Sequence, residues 1–490
     1  MPPPEFDLEN FVIVWYSLIT LDLFQFSFPA FFRTFLLLVV FFINAARLQA
    51  GAFAREDWMI TFEPTHPAYW GVRWGEENFF LPYRILQRTK HAVESGFLNN
   101  WRFRSGNGGA GGVALRALSL GLDFGMYMGL QNVHHALGHD AAARELARDY
   151  GLGDVPSRYN QVLPRLVGGE LSQNERNTGG GPDAVTQYMV QPMQEEIHIS
   201  FDQSKEIMAQ GNVNTTQLAN YIFMRTRFFQ DVSEFGTVDQ DYADYILNGS
   251  PNSSSSRRFT GGSSKFSTDF TNYIVKLNGG RYGVSSISDY KIRMDDLKMT
   301  FYYQLFDPVF WLAFWKVGQD GIYRGREQTA VPMFHLTDRL AYLPSFRTYF
   351  SPFGIEYYLD GFFRWDQILF DVYAARGDNR YEERSGFGAS VENVKLWRGI
   401  TVGAFFDYRR EPALNRILIN APLAASELNR LTSVTNFGVS LKLPVWFFDR
   451  GGDPKNAFLY ARCGQKTDGW IPGEYLRGST YLQAGIGLRL

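Results

Sequence analysis

Seven histidines occur in the 490 residues, and four of them fall between positions 134 and 198. Three lie in one short stretch, Asn132-Val133-His134-His135-Ala136-Leu137-Gly138-His139. On a helix, residues four apart share a face, so His135 and His139 can bring both imidazoles to one metal ion. A further ligand is needed. Glu145 lies far around the same helix at 100° per residue, which makes it a poor one. The run Glu195-Glu196-Ile197-His198 offers better candidates. Glu195 and His198 are three apart and share a helical face, the carboxylate–imidazole spacing of metal sites in helix bundles. The expected metal set is therefore His135, His139, His198 and Glu195, holding zinc or iron. His134 or Glu196 would be the base that activates a bound water. The competing expectation is structural: histidines that cap or hydrogen-bond within a helical plug.

His135-x-x-Gly138-His139, followed by Ala142-Ala143-Arg144, resembles the zinc motif of the site-2 protease family. That resemblance implies a metalloprotease, with zinc held by the two histidines of an apolar helix. In the family a Glu directly follows the first His and serves as general base; here Ala136 stands in its place. Asp307-Pro308 and Asp320-Gly321 echo the family's second element, at a different spacing. The resemblance thus implies a relative that does not cut peptides, or a convergent match.

These residues need helices to position them. A glycine-rich loop, 106–112, precedes an apolar segment that reads as one long helix from Val113 through Arg144. Gly121, Gly125 and Gly129 repeat every four residues on it, a spacing that lets a second helix or strand approach closely. Arg116 and Asp123 share a face, where they pair or point into a wet lumen. A further helix is expected from about Asp289 to Trp315. Its apolar end, Phe310-Trp311-Leu312-Ala313-Phe314-Trp315, must be buried or face lipid. Polar stretches at 165–185 and 248–265 read as linkers.

Beyond position 340 the period changes from helical to two. In the last segment Leu482, Ala484, Ile486, Leu488 and Leu490 point one way, and Tyr481, Gln483, Gly485, Gly487 and Arg489 the other. One wholly apolar face suits a strand with lipid outside and a polar lumen inside. The alternation recurs at 355–363, 368–374, 387–391, 400–408, 439–445 and 457–461. Seven or eight strands are expected in residues 344–490, with Trp58 to Phe62 pairing with the last strand to close the sheet. The terminal Gln483-x-Gly485-x-x-Leu488-x-Leu490 resembles the β-signal of outer-membrane barrel proteins, which usually ends in Phe or Trp. It implies recognition by the outer-membrane assembly machinery.

Residues 35–43 form a short apolar run after Arg33, and Ala52-Phe53-Ala54 precedes Arg55. This is the pattern of a cleaved secretory leader. Membrane anchors within residues 11–48 are the rival expectation. A formal net charge of −2 and the lack of a basic patch interleaved with aromatics exclude a nucleic-acid partner. The single cysteine excludes an intrachain disulfide. The aromatic content, 16%, fits membrane-interface girdles.

The expected fold class is an α+β membrane protein: an antiparallel transmembrane β-barrel with a helical insert or plug, in a Gram-negative outer membrane. The expected divisions are a leader at 1–54, a segment with a first strand at 55–112, a helical region at 113–330 and barrel strands at 331–490. The expected role is structural, binding or transport, with the lipid bilayer as partner. The alternative is a metal-dependent hydrolase of peptides or lipids, or its catalytically degenerate relative.

Overall fold

The computed structural model describes residues 57–62, 86, 89–90, 109–150, 182–233, 273, 286–365, 368–378, 383–396, 400–412, 430–445, 457–474, 476 and 478–489. The expected leader lies outside them, as does the expected linker at 248–265. The elements run β1 (Asp57–Phe62), α1 (Ala110–Tyr150), α2 (Pro182–Gln210), β2 (Val213–Asn214), α3 (Thr215–Ser233), α4 (Ile287–Leu305) and α5 (Pro308–Lys316). A π-helical segment, Val317–Tyr323, continues α5. Then come β3 (Gln328–Thr329), β4 (Phe334–His335), β5 (Leu340–Ser351), β6 (Gly354–Trp365), β7 (Ile368–Asp378), β8 (Glu383–Lys395), β9 (Thr401–Pro412), β10 (Leu431–Pro444), β11 (Ala457–Lys466) and β12 (Ser479–Arg489). The protein is therefore a mixed helical and antiparallel-sheet protein. Eight of these strands, β5 to β12, fill the region where seven or eight were expected.

Ten strands form one sheet in the order β1-β12-β11-β10-β9-β8-β7-β6-β5-β4, while β2 and β3 pair separately. From β4 to β12 each strand lies beside the next in sequence, the arrangement that short reversals impose. The first strand then joins the far side of the last, with Trp58 opposite Leu488 and Phe62 opposite Ala484. The expected pairing with the last strand is present. The expected closure is not found: β1 and β4 stand at opposite ends of the order, and among the described residues the sheet is open.

The neighbours of the β5 edge explain why the sheet ends there. β4 pairs only Phe334 and His335 with Tyr342 and Ala341. Beyond them, the carbonyls of β5 accept from side chains outside the sheet instead of a strand. Arg225 Nη2 donates to Phe346 O at 2.6 Å and Gln194 Nε2 to Phe350 O. Backbone acceptors removed from water need such partners.

The sheet also curls. Tyr349 of β5 stacks edge-on against Trp470, which lies beyond β11, with ring centroids 6.2 Å apart. Six strand spacings along a flat sheet would separate these strands by about 29 Å. Arg409 of β9 reaches Glu356 and Tyr358 of β6 across the same concave side.

The helices pack at the β5–β7 end. Phe201 of α2 stacks on Phe362 of β6 at 5.9 Å. Leu218, Ile222, Val309, Phe310, Ala313, Val317, Leu343 and Leu369 join the same buried cluster. The first helix covers the expected span from 113 to 144 and extends it to Ala110–Tyr150. Its residues Ala110–Leu130 are long and apolar enough to cross a membrane. Nothing lies within 4 Å of a Cβ placed at Gly121, Gly125 or Gly129, so no described residue uses that face for close approach.

The expected helix from Asp289 to Trp315 is two helices. Asp307 is extended, with φ −62 and ψ 112, and its side chain accepts from Val309 N; Pro308 opens the next helix. A residue before proline avoids the helical region, and an aspartate there caps the helix that the proline begins. α2 starts at Pro182, within the expected 165–185 linker.

Candidate functional site

Strand parity sorts the sheet into two chemically opposite faces. In β6, Glu356, Tyr358, Asp360, Phe362 and Arg364 alternate with Ile355, Tyr357, Leu359, Phe363 and Trp365. Register carries that alternation across the sheet. Asp360 lies opposite Tyr373, Gly388 opposite Asp407, Asp407 opposite Asn436, Asn436 opposite Lys466, and Arg462 opposite Gln483. All of these occupy the concave inner face.

The inner face is buried and ionic. Arg347 of β5 holds Asp360 of β6 with both ends of its guanidinium, at 2.8–3.1 Å. The same guanidinium lies 3.4 Å from the centre of the Phe201 ring, sandwiching it beneath α2. Glu356 takes Arg384 from β8 and Arg409 from β9. Tyr373 donates to Asp407 at 2.6 Å, Asn436 donates to Asp407 at 3.1 Å, and Tyr481 donates to Asn436 at 3.2 Å. Gln483 of β12 donates to Thr61 of β1 at 3.1 Å, ending the ladder at the sheet's other edge. Charges removed from water are tolerated when paired in this way.

The outer face is the reverse. Phe387 and Val439 are each 53% exposed, Leu459 47% and Ile486 45%, and Leu359, Val372, Phe406, Phe437 and Leu482 are exposed beside them. Cys463 sits on this face and is exposed.

Two polar nodes lie among the helices. At the α4–α5 junction Asp307 is fully buried; it accepts from Arg225 at 2.6 Å, Tyr221 at 2.7 Å and Ser345 at 2.9 Å. In the π-helical segment Asp320 is buried beneath Lys316, Arg324 and Thr329, at 3.1, 3.1 and 2.6 Å. Burial works to raise the Asp320 carboxyl. The hydrogen bonds from Thr329, Lys316 and Arg324 outweigh it and hold the group below the usual carboxylate value. Asp307 and Asp320, the two acidic echoes of the protease element, are thus a helix cap and the centre of a cation cluster.

Of the expected metal and base residues, only His198 and Glu196 have described side chains. His134, His135 and His139 all lie on α1, so the four-residue helical spacing of the latter two holds. Their side chains, and that of Glu195, lie outside the described residues. His198 is half-buried, with Nδ1 3.1 Å from the Tyr349 hydroxyl and Nε2 3.6 Å from Asp202. Glu196 is buried and lines a narrow crevice with Met193, Ser200, Met224, Arg225 and Gln304. No group of three or more His, Cys, Asp or Glu that could hold a metal occurs among the described residues. Arg116 and Asp123 are both buried but take separate partners. Arg116 donates to Ile322 O and Tyr323 O, and Asp123 pairs with Lys90 at 2.9 Å.

The inner ionic ladder was not foreseen from sequence. Its signal was present in the polar partners of each alternating strand, such as Glu356, Tyr358 and Asp360. What single strands do not reveal is which strands pair, and hence which charges meet.

No protein-family model, curated protein or solved structure matches the chain.

Proposed function

We propose that the protein is an integral outer-membrane protein whose sheet crosses the bilayer as a barrel wall, with the helices as plug or insert, and that its role is binding, transport or structural support. The observation that supports this is the inversion of the sheet's two faces. A water-soluble antiparallel sheet buries its apolar face and wets its polar one. Here a contiguous apolar face is exposed and a charged one is enclosed. Soluble monomers rarely expose apolar patches beyond a few hundred Å². A bilayer outside and a polar interior account for both faces at once.

The β12 alternation and its terminal motif supply the proposed route of assembly. Gln483, Gly485 and Gly487 lie on the inner side of β12 while Leu482, Ala484 and Ile486 lie on the outer side, beside β1 and β11.

Fractionation of a Gram-negative bacterium expressing the whole chain tests the proposal. The protein should be found in the outer membrane and resist extraction by urea and alkaline carbonate. The L488D variant should be lost from that fraction. Wild-type protein that is soluble in the periplasm, or sits in the inner membrane, would contradict the proposal.

A further inference from the structure

One surface carries chemistry that the barrel proposal leaves unused. On α5 and its π-helical continuation, Val309, Phe310, Ala313, Val317 and Gly321 are buried against the core. The other side presents Trp311, Phe314 and Trp315, each at least half exposed, and Tyr323, 69% exposed. Positions 311, 314 and 315 share one helical face. This aromatic stripe runs directly into a cluster of cations. Lys316 lies 4.9 Å from the Trp315 ring centre and also reaches Asp320. Arg324 and Arg326 approach the same carboxylate at 3.1 and 3.6 Å, yet their side chains remain 45% and 60% exposed.

The charge balance is unequal. Three cations share Asp320, which also accepts from Thr329. Arg116 lies beneath and is used by the carbonyls of Ile322 and Tyr323; Glu327 comes after Arg326 in the chain. Four cations against two carboxylates leave an excess of about two positive charges at the end of an apolar stripe. The loop is also held in place: Arg326 N donates to Asp320 O at 2.7 Å. Gly325 has φ +65, and a Cβ there would meet Arg116 Nη1 at 3.0 Å. Aromatic residues and cations at the end of an apolar helix are what a membrane interface selects.

We propose that Arg324 and Arg326 bind the phosphate of an anionic glycerophospholipid whose acyl chains lie along Trp311, Phe314 and Trp315. Arginine forks suit phosphate oxygens, and each basic residue near an anionic surface adds a favourable increment. The inference rests on the membrane proposal above.

The test uses the full chain in neutral detergent micelles, with tryptophan fluorescence quenched by bromine on the acyl chains of phosphatidylglycerol or of phosphatidylcholine. The W311F/W315F variant identifies the signal of these two residues. Their fluorescence should be half-quenched at about tenfold lower mole fraction of phosphatidylglycerol than of phosphatidylcholine. R324Q/R326Q, which leaves Lys316 and Thr329 on Asp320, should abolish that preference without changing the circular dichroism spectrum. Inorganic phosphate at millimolar concentration should not displace the lipid. Equal quenching by the two lipids, a preference that survives in R324Q/R326Q, or displacement by free phosphate would each overturn the proposal. The residual fluorescence of W311F/W315F contains Trp365 on the outer face of the sheet. If it is quenched while Trp311 and Trp315 are not, only the present inference fails; if it is not quenched either, the membrane proposal fails and this one with it.

Discussion

Asp307 shows what one residue carries. It caps α5, accepts from Tyr221 and Ser345, and neutralises Arg225, whose other bonds serve Gln304 and the β5 edge. Asp307→Ala would leave a buried arginine without its counter-charge. It should cost about 3–5 kcal/mol, read as a lowered urea midpoint, with Asp307→Asn losing less because the cap survives. A loss within about 0.5 kcal/mol would contradict the role assigned to it. Asp320 makes a prediction in pH. Its folded carboxyl lies below the ordinary value of 3.8, so the unfolded chain takes up the proton first. Its contribution is complete above about pH 4 and is lost as pH falls through the lower folded value. D320N should flatten that acid limb of the stability curve; an unchanged limb would show that Asp320 does not contribute. At this scale the sequence was partly legible. The Asp-Pro pair is a helix-capping signature and only a distant echo of a protease element that pairs Asn with Pro. The helical spacing of His135 and His139 was legible, whereas the engagement of His198 by Tyr349 depends on a fold that joins positions 151 residues apart.

Among elements, strands were the more legible. Period-two alternation is a local property, so β12 and β6 could be placed before any neighbour was known. Pairing of β1 with β12 was expected from the same alternation. The β5 edge was not legible, because its caps come from positions 194 and 225. Removing the first of them, as Gln194→Leu, deprives Phe350 O of its side-chain donor. Amide exchange in β5 should then rise about tenfold while β9 is unchanged; equal rates in both strands would show that the edge does not depend on it. The strand faces permit a sharper comparison. Val439 lies on the outer face of β10 and is 53% exposed. If that face meets water, Val439→Arg should shift stability by no more than about 0.5 kcal/mol. If it meets lipid, the same change should cost about 2–4 kcal/mol in refolding into vesicles.

At the scale of the whole molecule, an enclosed ionic ladder and an exposed apolar shell are two sides of one curled sheet. The ladder ties distant strands together: Arg409 of β9 to Glu356 of β6, and Tyr349 of β5 to Trp470 beyond β11. Phe201 of α2 and Trp470 pack on the concave side, against Phe362 and Tyr349. Composition and alternation led to the expectation of a sheet with one apolar and one polar face. They could not show that side chains from outside the sheet, rather than a strand, would meet β5, since closure is a property of three-dimensional register. The chain supplies its own probe for the central claim. Cys463, its one cysteine, is exposed on the outer face of β11, opposite Val439 and Leu482. A fluorophore attached to Cys463 in protein refolded into vesicles should be quenched strongly by a nitroxide carried on lipid chains and weakly by aqueous iodide, with the order reversed after unfolding. Strong quenching by iodide and none by the lipid nitroxide, in folded protein, would contradict a lipid-facing sheet.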